Sequence, residues 1–165
     1  MTPLLELRGA SRVHGSGETA VTALTDCDLT LSPGEFVAVM GPSGSGKSTL
    51  LHQAGGLDYP SAGQELISGT DIAELDATQR AILRRHRVGY VFQDFNLLPA
   101  LSAADNVGFP LELDGMPRAK ARQAALHALH EVEVPELADR FPDEMSGGQA
   151  QRVAVCRALV NAPDV

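Results

Sequence analysis

An α/β fold is predicted by three stretches of this 165-residue chain. Phe36-Val37-Ala38-Val39-Met40 is nearly unbroken apolar sequence, which suits a central strand covered on both faces, and it runs straight into a glycine-rich loop and a helix start. Val88-Gly89-Tyr90-Val91-Phe92 repeats the pattern as a second buried strand. From Asp94 onward the pattern becomes one of helices and loops, so a helical subdomain is expected as an insertion.

Taken in order, Leu4-Leu5-Glu6-Leu7 reads as a short strand and Val21 to Leu24 as another, separated by the flexible loop Gly15-Ser16-Gly17-Glu18. Asp26 to Leu31 alternates strictly, with Cys27, Leu29 and Leu31 on one face, as in a half-exposed antiparallel strand. Ser32-Pro33-Gly34-Glu35 is a turn. The helix opening at Lys47 is expected to stop at Gly55-Gly56, and Pro60-Ser61-Ala62-Gly63 turns the chain into a strand over Gln64 to Ser68. Asp71 to Arg85 contains a helix with Asp76 as its N-cap. Arg84, Arg85 and Arg87 cluster where cations meet the negative pole of the helix dipole, which reads as a solvated helix end rather than a ligand site. Ser102 to Val107 is a short helix, and Pro117 to Val132 a longer one that buries Ala125, Leu126, Leu129 and Val132. A last helix covers Ala150 to Val160.

The loop carries the chemistry. Gly41-Pro42-Ser43-Gly44-Ser45-Gly46-Lys47-Ser48-Thr49 fits the spacing G-x-x-x-x-G-K-[ST], in which backbone N–H groups surround bound phosphates. Glycine is required because a nest of N–H donors forms only where the backbone takes positive φ and approaches the anion closely. The helix that begins near Lys47 aims its free N–H groups and its positive dipole end at the same anion. Lys47 is expected to reach the β and γ phosphates. Ser48 is placed to hold Mg²⁺ through its hydroxyl, and Thr49 to support the helix start. Small-molecule kinases, GTPases and transport ATPases all share such a loop, so the rest of the chain must choose among them.

Composition narrows the choice. A net charge of −8 with no basic stripe argues against nucleic acid or an anionic lipid surface as the main partner. Two distant cysteines, Cys27 and Cys156, suggest neither a disulfide framework nor a zinc site, and a reducing cytoplasm fits. The N-terminus lacks the features of a signal peptide, and no run approaches the length of a membrane span. Any membrane role is therefore expected to come through a partner.

A second anchor is Ser146-Gly147-Gly148-Gln149. Two glycines in the first turn of a helix cost about 1 kcal/mol each relative to alanine. Ser146 as N-cap with Gln149 three residues on resembles a capping box, which explains the serine and glutamine but not the paired glycines. Bare N–H groups at that helix N-terminus make a second expected anion site. Gln93 stands at the carboxyl end of the second buried strand, where ligands lie in open α/β sheets.

Together, Gly41 to Thr49, Gln93 in Tyr90-Val91-Phe92-Gln93, and Met145-Ser146-Gly147-Gly148-Gln149 resemble the ATP-binding subunit of ABC transporters over nearly the whole chain. Gly55-Gly56-Leu57-Asp58 and Val91 to Pro99 look most like the lipoprotein-release, macrolide-export and antimicrobial-peptide-resistance branch, and Gln149 to Leu159 extends the similarity. The resemblance implies a P-loop NTPase core of the RecA-like type, with an N-terminal antiparallel β subdomain and an inserted α-helical signature subdomain. It implies one cassette over residues 1–165, with a nucleotide-binding core over 1–93, a helical subdomain over 94–150 and a return to the core over 151–165. ATP and Mg²⁺ are the implied cofactors. Gly44 to Thr49 would hold phosphate and metal, and Gln93 would sense Mg²⁺ and the attacking water. Ser146, Gly147, Gly148 and Gln149 would contact the γ-phosphate of ATP held by a second subunit, so two copies pair head to tail. Gln93 and the segment Asp94 to Pro110 would face a transmembrane permease, which places the chain on the cytoplasmic face of the membrane.

The chain departs from the family pattern at several places. Met145 and Cys156 stand where the family usually has Leu and Ala, and His14 where it has an aromatic residue, commonly Tyr. His14 is expected either to stack on adenine or to remain an exposed loop residue. Pro163-Asp164-Val165 falls where the family begins the strand that ends in its acidic pair, so a fragment of a longer domain is expected, with the core incomplete at the C-terminus and hydrolysis doubtful in isolation. A nonhydrolytic ATP-binding module and a soluble ABC protein without a transport role are the alternative functions. The latter usually shows tandem cassettes or long coiled-coil insertions, which this chain lacks.

Overall fold

The computed structural model describes residues 2–165, which group into two compact units. One runs up to Arg87 and takes back Asp164–Val165; the other is Val88–Pro163.

The first unit is built on an antiparallel sheet in the order β2-β1-β3-β4, with β1 Leu5–His14, β2 Val21–Leu31, β3 Ala62–Ile67 and β4 Thr70–Asp71. β1 is longer than the expected Leu4 to Leu7. Val21 to Leu24 and Asp26 to Leu31 are one strand rather than two. Both differences have one cause: the long hairpin absorbs its sequence irregularities as register shifts, one of them between Ala10 and Arg12. Asp26 there takes a φ of 44°, its N–H donates to Ser11 Oγ at 2.9 Å, and the Asp28 carboxylate accepts from the Gly9 N–H at 2.7 Å. Alternation along Asp26 to Leu31 is as expected, with Cys27, Leu29 and Leu31 on the sheltered face. Leu5, Leu7, Ala10, Ile67 and Ile72 form the buried interior, and each large side chain among them contributes about 1.5–3 kcal/mol.

Helix α1, Lys47–Ala54, stops at Gly55 and Gly56 as expected. Helix α2, Ala77–Arg87, opens on a reciprocal cap in which the Gln79 N–H donates to Asp76 Oδ1 at 2.8 Å and the Asp76 N–H donates to Gln79 Oε1 at 2.9 Å. At its other end Arg84 donates to the Gly56 carbonyl and Arg87 pairs with Asp164 at 2.8 Å.

The two expected buried strands are corrected. Phe36 to Met40 joins no ladder, Phe36 is 93% exposed and Met40 87%, and the segment lies along an apolar groove of about 320 Å³ lined also by Leu4, Leu29, Leu31 and Leu51. Val88 to Phe92 in the second unit also joins no ladder. An apolar run becomes a strand only when another strand supplies partners for its N–H and C=O groups, and none of β1 to β4 pairs with either segment.

The second unit is helical: α3 Ala103–Leu113, α4 Arg118–Glu131 and α5 Gly147–Leu159. Ala103, Val107, Ala125, Leu129, Leu137, Val153 and Cys156 are buried together. α3 runs six residues past the expected end at Val107 and includes Pro110, because a proline there removes only one N–H bond and the helix stays packed through Val107 and Leu111. On α4 the expected burial holds for Ala125 and Leu129 and, in part, for Val132, but Leu126 is 39% exposed, one position off the packed stripe. Asn106 is fully buried; it accepts from the Leu98 N–H at 2.7 Å and donates to the Leu98, Leu101 and Ser102 carbonyls, which fixes the approach to α3.

Candidate functional site: the glycine loop from Gly41 to Thr49

The loop from Gly41 to Thr49 is built from left-handed backbone and an open helix end. Gly44 has φ 79° and Gly46 φ 86°, and Gly46 is the N-cap of α1, where no side chain caps the first-turn N–H groups. Those N–H groups and the positive dipole end point into the loop, an arrangement that favours an anion. Lys47 extends back over the loop: its Nζ donates to the Gly41 carbonyl at 2.9 Å and to the Pro42 carbonyl at 2.7 Å. An ammonium has three donors, so one remains for a ligand after the loop entrance is pinned. Ser43 and Ser45 lie in the exposed part of the loop, and the Ser45 N–H closes a turn onto the Pro42 carbonyl at 3.3 Å. Ser48 is exposed in the first turn of α1 and Thr49 partly sheltered behind it. A triphosphate suits this donor set: the loop offers N–H groups, one ammonium and hydroxyls, and its own residues supply no competing carboxylate.

His14 ends β1, exposed and paired across the hairpin with Val21, at the lip of the Gly15 to Glu18 loop as expected.

In the second unit, Ser146 caps α5. Its Oγ accepts from the Gln149 N–H at 3.3 Å while Gln149 Oε1 accepts from the Ser146 N–H at 2.9 Å. The capping box read from the sequence is therefore present. It leaves the glycines unexplained, because neither has positive φ and a Cβ on Gly147 or Gly148 would meet nothing within 4 Å. Nothing inside the described residues demands glycine there. Gln93 is exposed, in a turn with Asp94, and the next two residues, Phe95 and Asn96, take φ of 60° and 45°. Such φ values in non-glycine residues are strained. Arg157 of α5 meets them: its guanidinium donates to the Phe95 carbonyl at 2.6 Å and the Asn96 carbonyl at 2.5 Å. Burial lowers the pKa of Arg157.

Two groups escaped the sequence reading. Arg157 reads as one cation in a helix, and its signal is that it follows the buried face of Val153, Ala154 and Cys156. Glu65 is fully buried on β3, and neither carboxyl oxygen has a hydrogen-bond partner among the described residues. Burial first of all, and then the charges of Asp58 and Asp71, push its pKa up to about 8 against the opposing dipole of the Gly56 N–H. An acid in the second position of an otherwise β-like run was its visible sign.

Comparison with known proteins agrees with this geometry. The family model described as ABC transporter matches residues 24–165. A macrolide export ATP-binding/permease protein MacB of Rhodopseudomonas palustris is 49% identical over 159 residues, covering 96% of this chain and 24% of the relative. The lipoprotein-releasing system ATP-binding protein LolD of Hyphomonas neptunium is 44% identical over 163 residues, covering 99% of this chain and 72% of the relative. The chain thus spans about a quarter of the length of the MacB relative. Among solved structures, a dimeric post-hydrolysis state of the ATP-binding cassette MJ0796 bound to ADP and Pi superposes with a TM-score of 0.90 at 40% identity, covering 96% of this chain and 70% of that one. With its glycine loop, its Ser146-capped helix opening on Gly147 and Gly148, and a family match over residues 24–165, the chain belongs to the ABC transporter family.

Proposed function

We propose that this chain is the nucleotide-binding part of an ABC-type exporter or extractor, binding MgATP at Gly41 to Thr49, pairing head to tail with a second copy and driving a transmembrane permease from the cytoplasmic face. The observation that carries the reading is Lys47 folded over an uncapped helix N-terminus, which leaves one ammonium donor and a set of N–H groups facing the same space. ATP with Mg²⁺, when bound, supplies the phosphoanhydride whose cleavage releases the closed pair. Lys47 and the N–H groups from Gly44 to Thr49 would hold the phosphates, and the Ser48 hydroxyl would offer an oxygen ligand for the metal, with Gln93 the further metal contact that the family resemblance implies. His14, exposed at the end of β1, is the side chain that would stack on adenine. In the pair, Ser146, Gly147, Gly148 and Gln149 approach the partner copy's nucleotide, and the space around both glycines lets backbone N–H groups come close. The helical part over 94–150 would then meet the permease. The dimeric cassettes among its structural neighbours, and the name ATP-binding/permease protein that its MacB relative carries, support pairing and a membrane role. No helix among the described residues is long and apolar enough to cross a membrane.

The test is a titration of a fluorescent ATP analogue, with and without Mg²⁺, followed by sizing. Saturable, Mg²⁺-enhanced binding that is lost in Lys47→Ala is the expected result. Equal affinity of the two proteins would overturn the assignment.

A further inference from the structure

We infer that Arg157 is a positioning residue that ties the turn presenting Gln93 to helix α5, so that the helix carrying Ser146 to Gln149 and the Gln93 turn move as one body; this rests on the nucleotide-binding reading above. Four observations carry it. Phe95 and Asn96 sit in left-handed backbone without being glycine, so the turn does not hold itself at low energy. Its two carbonyls are the acceptors of one guanidinium, at 2.6 and 2.5 Å, a planar fork that lysine cannot reproduce. The guanidinium is partly desolvated, which strengthens both bonds. Finally, Arg157 is fixed to the same helix whose first turn holds Gly147 and Gly148, about ten residues or roughly 15 Å away along the axis. A helix held by buried Val153, Ala154 and Cys156 transmits a displacement without bending over that length. The Arg152 guanidinium, bonded to the Val132 carbonyl at 3.0 Å, anchors α5 to the end of α4 instead, so Arg157 is the contact that reaches the turn.

Amide hydrogen exchange reads this directly, because the Phe95 N–H is bonded to the Phe92 carbonyl and the Asn96 N–H to the Asp94 carbonyl. Exchange is measured with and without MgATP in the unsubstituted chain, Arg157→Lys and Arg157→Met, the last keeping the apolar stem. The expected result for both variants is about tenfold faster exchange at Phe95 and Asn96 and unchanged exchange at Leu129 and Val153. MgATP should still protect Gly46 to Thr49 in the variants. Unchanged exchange at the turn would overturn the assignment and leave nucleotide binding intact. Loss of protection throughout α3 to α5 in both variants would overturn it too, making Arg157 a residue of the fold alone. Absence of MgATP protection at Gly46 to Thr49 in the unsubstituted chain would instead overturn the nucleotide reading, and the coupling with it.

Discussion

Gly46 and Ala23 leave no room between them: a Cβ on Gly46 would stand 2.5 Å from the Ala23 carbonyl oxygen of β2. Gly46 also has φ 86°, so any other residue is strained twice, by its own backbone and by a carbonyl in a ladder that cannot retreat. Gly46→Ala should therefore destabilise the first unit by about 2 kcal/mol or more and abolish triphosphate binding. Thermal melts and an ATP titration check this; an unaltered melt with intact binding would show that the loop adapts.

Lys47→Ala removes two hydrogen bonds to loop carbonyls and the remaining ammonium donor but opens no core cavity. The fold should survive with a loss on the order of 1 kcal/mol, while triphosphate affinity falls by about a hundredfold or more. Circular dichroism and titration of the same sample separate the two effects.

Gly148 should show a trade of stability against function. A Cβ there meets nothing within 4 Å, so Gly148→Ala should stabilise α5 by some tenths to about 1 kcal/mol. The methyl, and more strongly the carboxylate of Gly148→Asp, should weaken ATP-dependent pairing while leaving monomer binding intact. Sizing with ATP measures pairing, and a Gly148→Asp protein that still pairs would remove the trans role.

Glu65 sets a pH dependence. In the unfolded chain its carboxyl titrates near the ordinary 4.5, whereas in the folded chain it holds its proton up to about 8. Between these values the folded state binds the proton that the unfolded state gives up, so stability falls as pH rises through the window. The penalty is absent below the lower value and complete above the upper one. Glu65→Gln should gain on the order of a few kcal/mol over the parent at pH 8.5 and little at pH 4.5, seen as melting curves that diverge with pH. Parallel curves would refute the burial argument.

Phe36 and Met40 make the 165-residue chain prone to associate, because both side chains are exposed on a segment whose backbone has no ladder. Phe36→Lys should lower concentration-dependent association in light scattering and move the melting temperature by no more than a degree or two.

Local chemistry was legible in the sequence. The spacing of Gly41, Gly46, Lys47 and Ser48 named a phosphate loop because only glycine takes φ values such as those of Gly44 and Gly46, and Ser146 with Gln149 named a capping box because those bonds span three residues. The same local rules placed Asp76 on α2, ended α1 at Gly55 and put Cys27, Leu29 and Leu31 on one side of β2. What depends on partners distant in sequence was decided by tertiary structure alone. Phe36 to Met40 and Val88 to Phe92 have strand composition without ladders, since a ladder needs a neighbouring strand that composition cannot specify. Glu65 became a proton-holding acid through burial on β3, and Arg157 found two carbonyls about sixty residues earlier in the chain. Short-range bonds and backbone φ are written in neighbouring residues; desolvation and long-range hydrogen bonding exist only once the chain has packed.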